Sequence, residues 1–180
     1  SSAVGTDAGL VTLSATPLVG HTIRTGGSIV ATFDGTAVDQ NAQLINSANI
    51  DVRNNDTNVA VLAMVLSAPG EAVDLNSINT EQVVGLGDPA VNIGAGANLY
   101  RDVDNDGIFE PGGDDGASIA TGTFGVLVNP KEVTFDLSGA AQDDRRIGGG
   151  GSTRYFVSYD FQAGSAGETH TNYMDATDPL

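Results

Sequence analysis

The chain has 180 residues, 40% hydrophobic and 17% charged, and its 23 Asp and Glu against 7 Lys and Arg give a formal net charge of -16. That is enough apolar material for one domain with a real core and too much for a disordered chain, while no run approaches the ~20 apolar residues of a membrane helix. So acidic a balance excludes nucleic-acid binding through phosphates, disfavours anionic membrane surfaces and favours divalent cations, while the short apolar runs argue against membrane insertion.

The 24 Gly and 6 Pro are spread along the chain and cut the apolar runs short, with little helical periodicity. Many short strands with turn punctuation predict an all-β fold, a β-sandwich of about 8–10 mainly antiparallel strands. In chain order, residues 1–9 read as a small, polar arm. Strands are expected at 10–13, 28–33 and 50–52. Residues 59–66 are apolar on both faces, as in a strand covered on both sides, and Pro69-Gly70 ends them. Residues 73–78 fit a helical turn or a strand. Further strands are expected at 82–84, 98–100, 118–120, 123–124 and 126–128. At 131–137 Val133, Phe135 and Leu137 share one face. At 155–161 Tyr155, Val157, Tyr159 and Phe161 oppose Phe156, Ser158 and Asp160. Gly148 to Gly151 reads as a hairpin loop, and Asp143-Asp144-Arg145-Arg146 as a solvated loop. The domain body is expected over 10–170, with a polar tail at 171–180. Residues 1–9, together with 10–15, could donate a strand to a neighbour's sheet edge, although a first strand within its own sandwich is the simpler reading.

The most specific pattern lies at 102–115. Asp102, Asp104 and Asp106 occupy positions 1, 3 and 5 of a loop with Gly107 at position 6. A tightly curled loop aims alternate carboxylates at one centre, and calcium takes six to eight oxygens of this kind. The Ile108 carbonyl at position 7 and Glu110 at position 9 would add ligands. Position 12 is Gly113 rather than Glu, so either Asp114 or Asp115 would close the shell. Strand-like flanks predict an EF-like calcium loop between two strands. A plain acidic turn is the alternative. Magnesium fits less well, because it demands rigid octahedral geometry.

Other signals are weaker. Ala163-Gly164-Ser165-Ala166-Gly167 imitates a nucleophile elbow, with His170 nearby and His21 as the other histidine, but no helix follows. Gly85-Leu86-Gly87-Asp88-Pro89-Ala90 imitates a dinucleotide fingerprint without its βαβ unit. Tyr155, Tyr159 and Tyr173 could form a sugar platform, although Tyr155 and Tyr159 share a strand face and read more simply as core. Asn55-Asp56-Thr57 is an N-glycosylation pattern. No catalytic residue is assigned. The absence of Cys rules out disulfides. The small-residue start Ser1-Ser2-Ala3-Val4-Gly5 is compatible with the mature side of a signal-peptide cut.

Four segments resemble a known domain type: Val61-Leu62-Ala63-Met64-Val65-Leu66-Ser67-Ala68, Leu99-Tyr100-Arg101-Asp102 with its loop, Ile119-Ala120-Thr121-Gly122-Thr123-Phe124, and Gly151-Ser152-Thr153-Arg154-Tyr155-Phe156-Val157-Ser158-Tyr159-Asp160. Over roughly residues 57–170 the chain resembles calcium-binding β-sandwich domains of large prokaryotic cell-surface and secreted proteins. The stretched loop with Gly113 departs from that pattern. The resemblance implies an extracellular, non-enzymatic module. The expectation is a structural subunit of a filament, pilus-like fibre or surface layer, a homo-polymer stabilised by calcium and associated with other surface or pilus subunits. A secreted carbohydrate- or surface-binding adhesin module is the alternative, with a hydrolase ranked last.

Overall fold

The computed structural model describes residues 11–13, 20–23, 29–46, 55–84, 93, 96–125, 131–162 and 170–173, with backbone alone at 11–13, 20–23, 82–84, 131 and 170–173. The elements are β1 (Val11–Leu13), β2 (Gly20–Ile23), β3 (Ile29–Phe33), β4 (Val38–Asp39), β5 (Val59–Ala68), β6 (Val73–Val84), β7 (Ala97–Arg101), β8 (Ile108–Phe109), β9 (Ala120–Phe124), β10 (Lys131–Asp136), one helical turn α1 (Gln142–Arg145), β11 (Arg146–Ile147), β12 (Gly151–Tyr159) and β13 (His170–Tyr173). The fold is all-β. Thirteen strands among the described residues exceed the expected number because six of them hold only two to four residues, too few to show alternation. The expected strands at 50–52 and 126–128 lie outside the described residues, as do the loops at 85–90 and 163–167.

Eleven strands form one hydrogen-bonded sheet in the order β1-β3-β5-β12-β7-β9-β10-β6-β11, with β2 and β13 also on β6. Its ladders are antiparallel except that between β1 and β3. Residues 77–82 of β6 pair with β10, so β2 at 75–79 and β13 at 81–84 lie along its other edge. β13 straddles the boundary expected between body and tail at 171, because residues 170–173 complete that edge. β1 pairs in parallel with β3 of its own chain, Val11 opposite Ile29.

β9 joins the two parts of the sheet. Its first residues pair with β7 and its last with β10. At the change of partner stands Gly122, where a Cβ would lie 2.6 Å from Val133 Cγ1 and 2.9 Å from both Ala97 Cβ and Phe135 Cε1. Only glycine leaves room for the two parts to meet there. The main core draws on both: Leu62, Met64 and Leu66 of β5, Leu99 of β7, and Tyr155, Val157 and Tyr159 of β12, with Leu75 and Ile78 of β6 and Val133 and Phe135 of β10. The alternation expected at 131–137 and 155–161 is observed, since Val133, Phe135, Leu137, Tyr155, Val157, Tyr159 and Phe161 all belong to this core.

β5 is covered on its other face too. Ala60 and Ala63 join Ala37, Ile45, Tyr100, Phe109 and Phe156 in a second, smaller cluster. Its cover is the two-stranded parallel ribbon of β4 and β8, with Val38 opposite Ile108 and Asp39 opposite Phe109.

Two local expectations are corrected. Gly148 to Gly151 is not a hairpin loop, because β11 pairs with β6 while β12 pairs with β5 and β7. The turn therefore crosses between strands, tied by Gly150 N donating to Ala68 O at 2.7 Å. Residues 143–146 are not simply solvated, since α1 lies against the sheet. Arg145 Nη1 donates to Leu75 O, Tyr155 Oη donates to Asp144 O, and Arg146 faces Asp74 at 3.6 Å. The open choice at 73–78 resolves as strand, within the twelve-residue β6.

Candidate metal centre

The loop after β7 curls because four backbone donors turn inward onto its carboxylates. Asn105 N donates to Asp102 Oδ1 at 2.6 Å and Gly107 N to Asp102 Oδ2 at 3.1 Å. Asp106 N donates to Asp104 Oδ1 at 3.3 Å, and Ile108 N to Asp106 Oδ1 at 2.7 Å. The tight path needs positive φ at Asn105 (64°) and Gly107 (83°), the left-handed region that Gly and Asn tolerate best. Gly107 also passes close to Arg154, whose Cζ would lie 3.4 Å from an added Cβ.

This geometry gathers Asp102, Asp104 and Asp106, with one carboxylate oxygen of each within 4.8 Å of the others. Asp102 is buried, while Asp104 and Asp106 are exposed. Among the described residues it is the one group of three or more acidic or imidazole side chains so placed. The triad could hold a metal ion, and its all-oxygen donor set suits a hard divalent cation. Of the other expected ligands, Ile108 begins β8 and Glu110 follows it at the loop's exit. Asp114 is exposed on the turn. Asp115 is buried and folds back into the loop, accepting from Glu110 N at 2.8 Å and Val103 N at 3.4 Å.

Crowded carboxylates resist ionisation. Burial pushes the Asp115 pKa up to about 6, with the charges of Asp102 and Asp104 adding to it and the bonds from Glu110 and Val103 opposing it. Asp104 is also raised, by desolvation and by its neighbours Asp106 and Asp102. The linkage follows directly. Asp115 holds its proton more tightly folded than unfolded, so its unfavourable contribution is present above about pH 6 and is relieved as pH falls towards 4. In chelator, urea melts at pH 7, 6 and 5 are expected to show the midpoint rising as pH falls. A divalent cation, standing in for the proton, flattens that slope.

The residue that anchors the loop was not singled out from the sequence. Arg154 of β12 donates from Nε to Asp34 Oδ2 at 2.6 Å and from Nη1 to Asp102 Oδ2. Its carbonyl accepts Asp102 N at 3.0 Å, so backbone and side chain both position Asp102. Burial works against the guanidinium charge, but the bonds to Asp102 and Asp34 outweigh it and raise the Arg154 pKa. Asp34 also accepts from Thr36 N, Thr36 Oγ1 and Ala37 N, which with Arg154 hold its carboxyl below the usual range despite burial. A second anchor is Phe109, whose ring packs edge-on to Tyr100 at 5.1 Å and tilted against Phe156 at 5.4 Å. One sequence signal could have exposed Arg154: it alternates with Phe156 on the strand face that carries the smaller cluster, where a cation needs a partner.

The sugar platform is not built as the sequence allowed. Tyr155 and Tyr159 are fully buried in the main core, and Tyr173 is described by backbone alone. The side chain of His170 likewise lies outside the described residues. No protein-family model matches the chain, and neither a characterised protein nor a solved structure is significantly similar to it.

Proposed function

We propose that this chain is a non-enzymatic structural subunit of an extracellular filament, pilus-like fibre or surface layer, folded as a calcium-stabilised β-sandwich. The observation that carries the reading is the Asp102, Asp104 and Asp106 triad, tied to the sheet by Arg154 and Phe109. In the sandwich, β1, β3, β5, β12 and β7 face β10 and β6, with β9 passing between them and Gly122 at the crossing. Calcium is favoured over magnesium because the Ile108 carbonyl, Glu110 and Asp115 lie within the same loop and can extend the shell towards six to eight oxygens. The ion's role is structural, since the flanking elements are the strands β7 and β9 rather than a helix pair that could open. It also offsets part of the self-repulsion of a chain with net charge -16.

Assembly works through sheet edges. β1 sits outermost beside β3, and the same residues can offer the same ladder to a neighbour's β3. Electron microscopy of the concentrated protein in calcium and in chelator tests this. Fibres or ordered sheets in calcium, shortened or lost in chelator, are the expected result, and monomers under both conditions would overturn the polymer reading.

A further inference from the structure

A groove of about 650 Å³ opens beside the metal loop, between the turn after β4 and the segment leading into β5. Its floor is apolar: Ile45, Ala60 and Phe109 belong to the smaller buried cluster. Its rim is made of carboxamides, including Gln40, Asn41, Gln43 and Asn55, all exposed. We propose that this groove binds a neutral, hydroxyl-rich ligand, a segment of an uncharged polysaccharide.

Both walls are held in place before any ligand arrives. On one side the Asp39 carboxylate accepts Asn41 N and Gln43 N, each at 2.9 Å, and Ala42 N donates to Asp39 O. On the other, Asn58 N donates to Asp160 Oδ1 at 2.6 Å, Tyr100 Oη donates to Asn58 Oδ1 at 2.9 Å, and Phe161 N donates to Asp56 O at 2.8 Å. A preformed concave site with an apolar floor and a few fixed polar groups is the usual build of a small-ligand site.

The lining chemistry selects the ligand. It contains no Lys, Arg or His, and Asp39 and Asp56 are among its residues, so phosphates and acidic sugars are repelled. Each carboxamide offers a donor and an acceptor, as each sugar hydroxyl does. Leu44, 47% exposed, supplies an apolar surface for the C–H face of a pyranose. A peptide is the weaker fit, because the groove offers one exposed large apolar side chain rather than a row of pockets. A second cation is disfavoured, since Asp39 Oδ1 already accepts two N–H groups and the triad is the one such acidic group among the described residues. Phe109 and Pro111 of the metal loop line the groove and Asp39 pairs with Phe109, while the wall at 55–58 stands on contacts of its own, so binding is to be read both with and without the metal.

The test is a titration of the nitrogen-15-labelled 180-residue chain, with and without calcium. The probes are neutral gluco-, manno- and galacto-oligosaccharides, an oligogalacturonate and an uncharged Gly/Ser peptide. At least one neutral oligosaccharide is expected to shift the side-chain amides of Gln40, Asn41, Gln43 and Asn55, while the oligogalacturonate does not. The double variant Gln40→Ala/Gln43→Ala, changed only at exposed positions, is expected to melt as the parent does and to bind about tenfold more weakly. No response to any neutral oligosaccharide, response to the peptide alone, or undiminished binding by the double variant would each overturn the proposal.

Discussion

Replacing Arg154 with methionine is expected to lower stability in chelator by about 3–5 kcal/mol, the usual cost of removing one partner from a buried ionic network. The guanidinium is the shared counter-charge of two carboxylates, Asp34 at 9% side-chain exposure and Asp102 at 0%. Without it, Asp102 keeps its bonds from Asn105 N and Gly107 N but loses its compensating cation. Calcium bound at the triad would supply that charge. The account therefore predicts that calcium restores more stability to Arg154→Met than it adds to the parent, and that the variant binds calcium more tightly. Urea melts of both proteins with and without calcium measure each term. A loss below about 1 kcal/mol in chelator would match an exposed pair instead and contradict the assignment.

Truncating Phe109 to alanine is expected to cost a similar amount, about 3–5 kcal/mol, through lost burial and the cavity left behind. The ring is 2% exposed and bridges Tyr100 of β7 and Phe156 of β12. Its effect on the metal should run opposite to that of Arg154→Met. Phe109 carries no charge, so its loss leaves the electrostatics of the triad intact and frees the loop to move. Ordering the loop then weakens calcium binding. Calorimetric titration of the two variants side by side separates the roles: tighter binding for Arg154→Met and weaker for Phe109→Ala. Equal shifts of one sign would mean that both act only through general destabilisation.

These two anchors mark where sequence reasoning reached and where it stopped. Strands long enough to alternate, such as β10 and β12, are legible because Val133, Phe135 and Leu137, or Tyr155, Val157 and Tyr159, repeat every second residue. β6 was ambiguous because the buried Leu75 and Ile78 are three apart, a helical interval, and β2 pairs across a register shift at the same place. β4 and β8 were invisible, since two residues carry no period. The spacing of Asp102, Asp104 and Asp106 is a local pattern and was legible. Arg154 lies 52 residues beyond Asp102 and 120 beyond Asp34, so their meeting depends on sheet register. The groove is of the same kind: its two walls come from separate segments, and neither the turn at 39–43 nor residues 55–58 would announce a site alone.

The most direct test of the account is thermal melting of the parent and of Asp102→Asn in calcium and in chelator. A ligand at a hundred times its Kd adds about 2.7 kcal/mol, which for a chain of this size raises Tm by about 5–10 °C. The account predicts such a rise for the parent on adding calcium and a rise cut to near nothing in Asp102→Asn. An unchanged Tm for the parent in calcium and in chelator would contradict it.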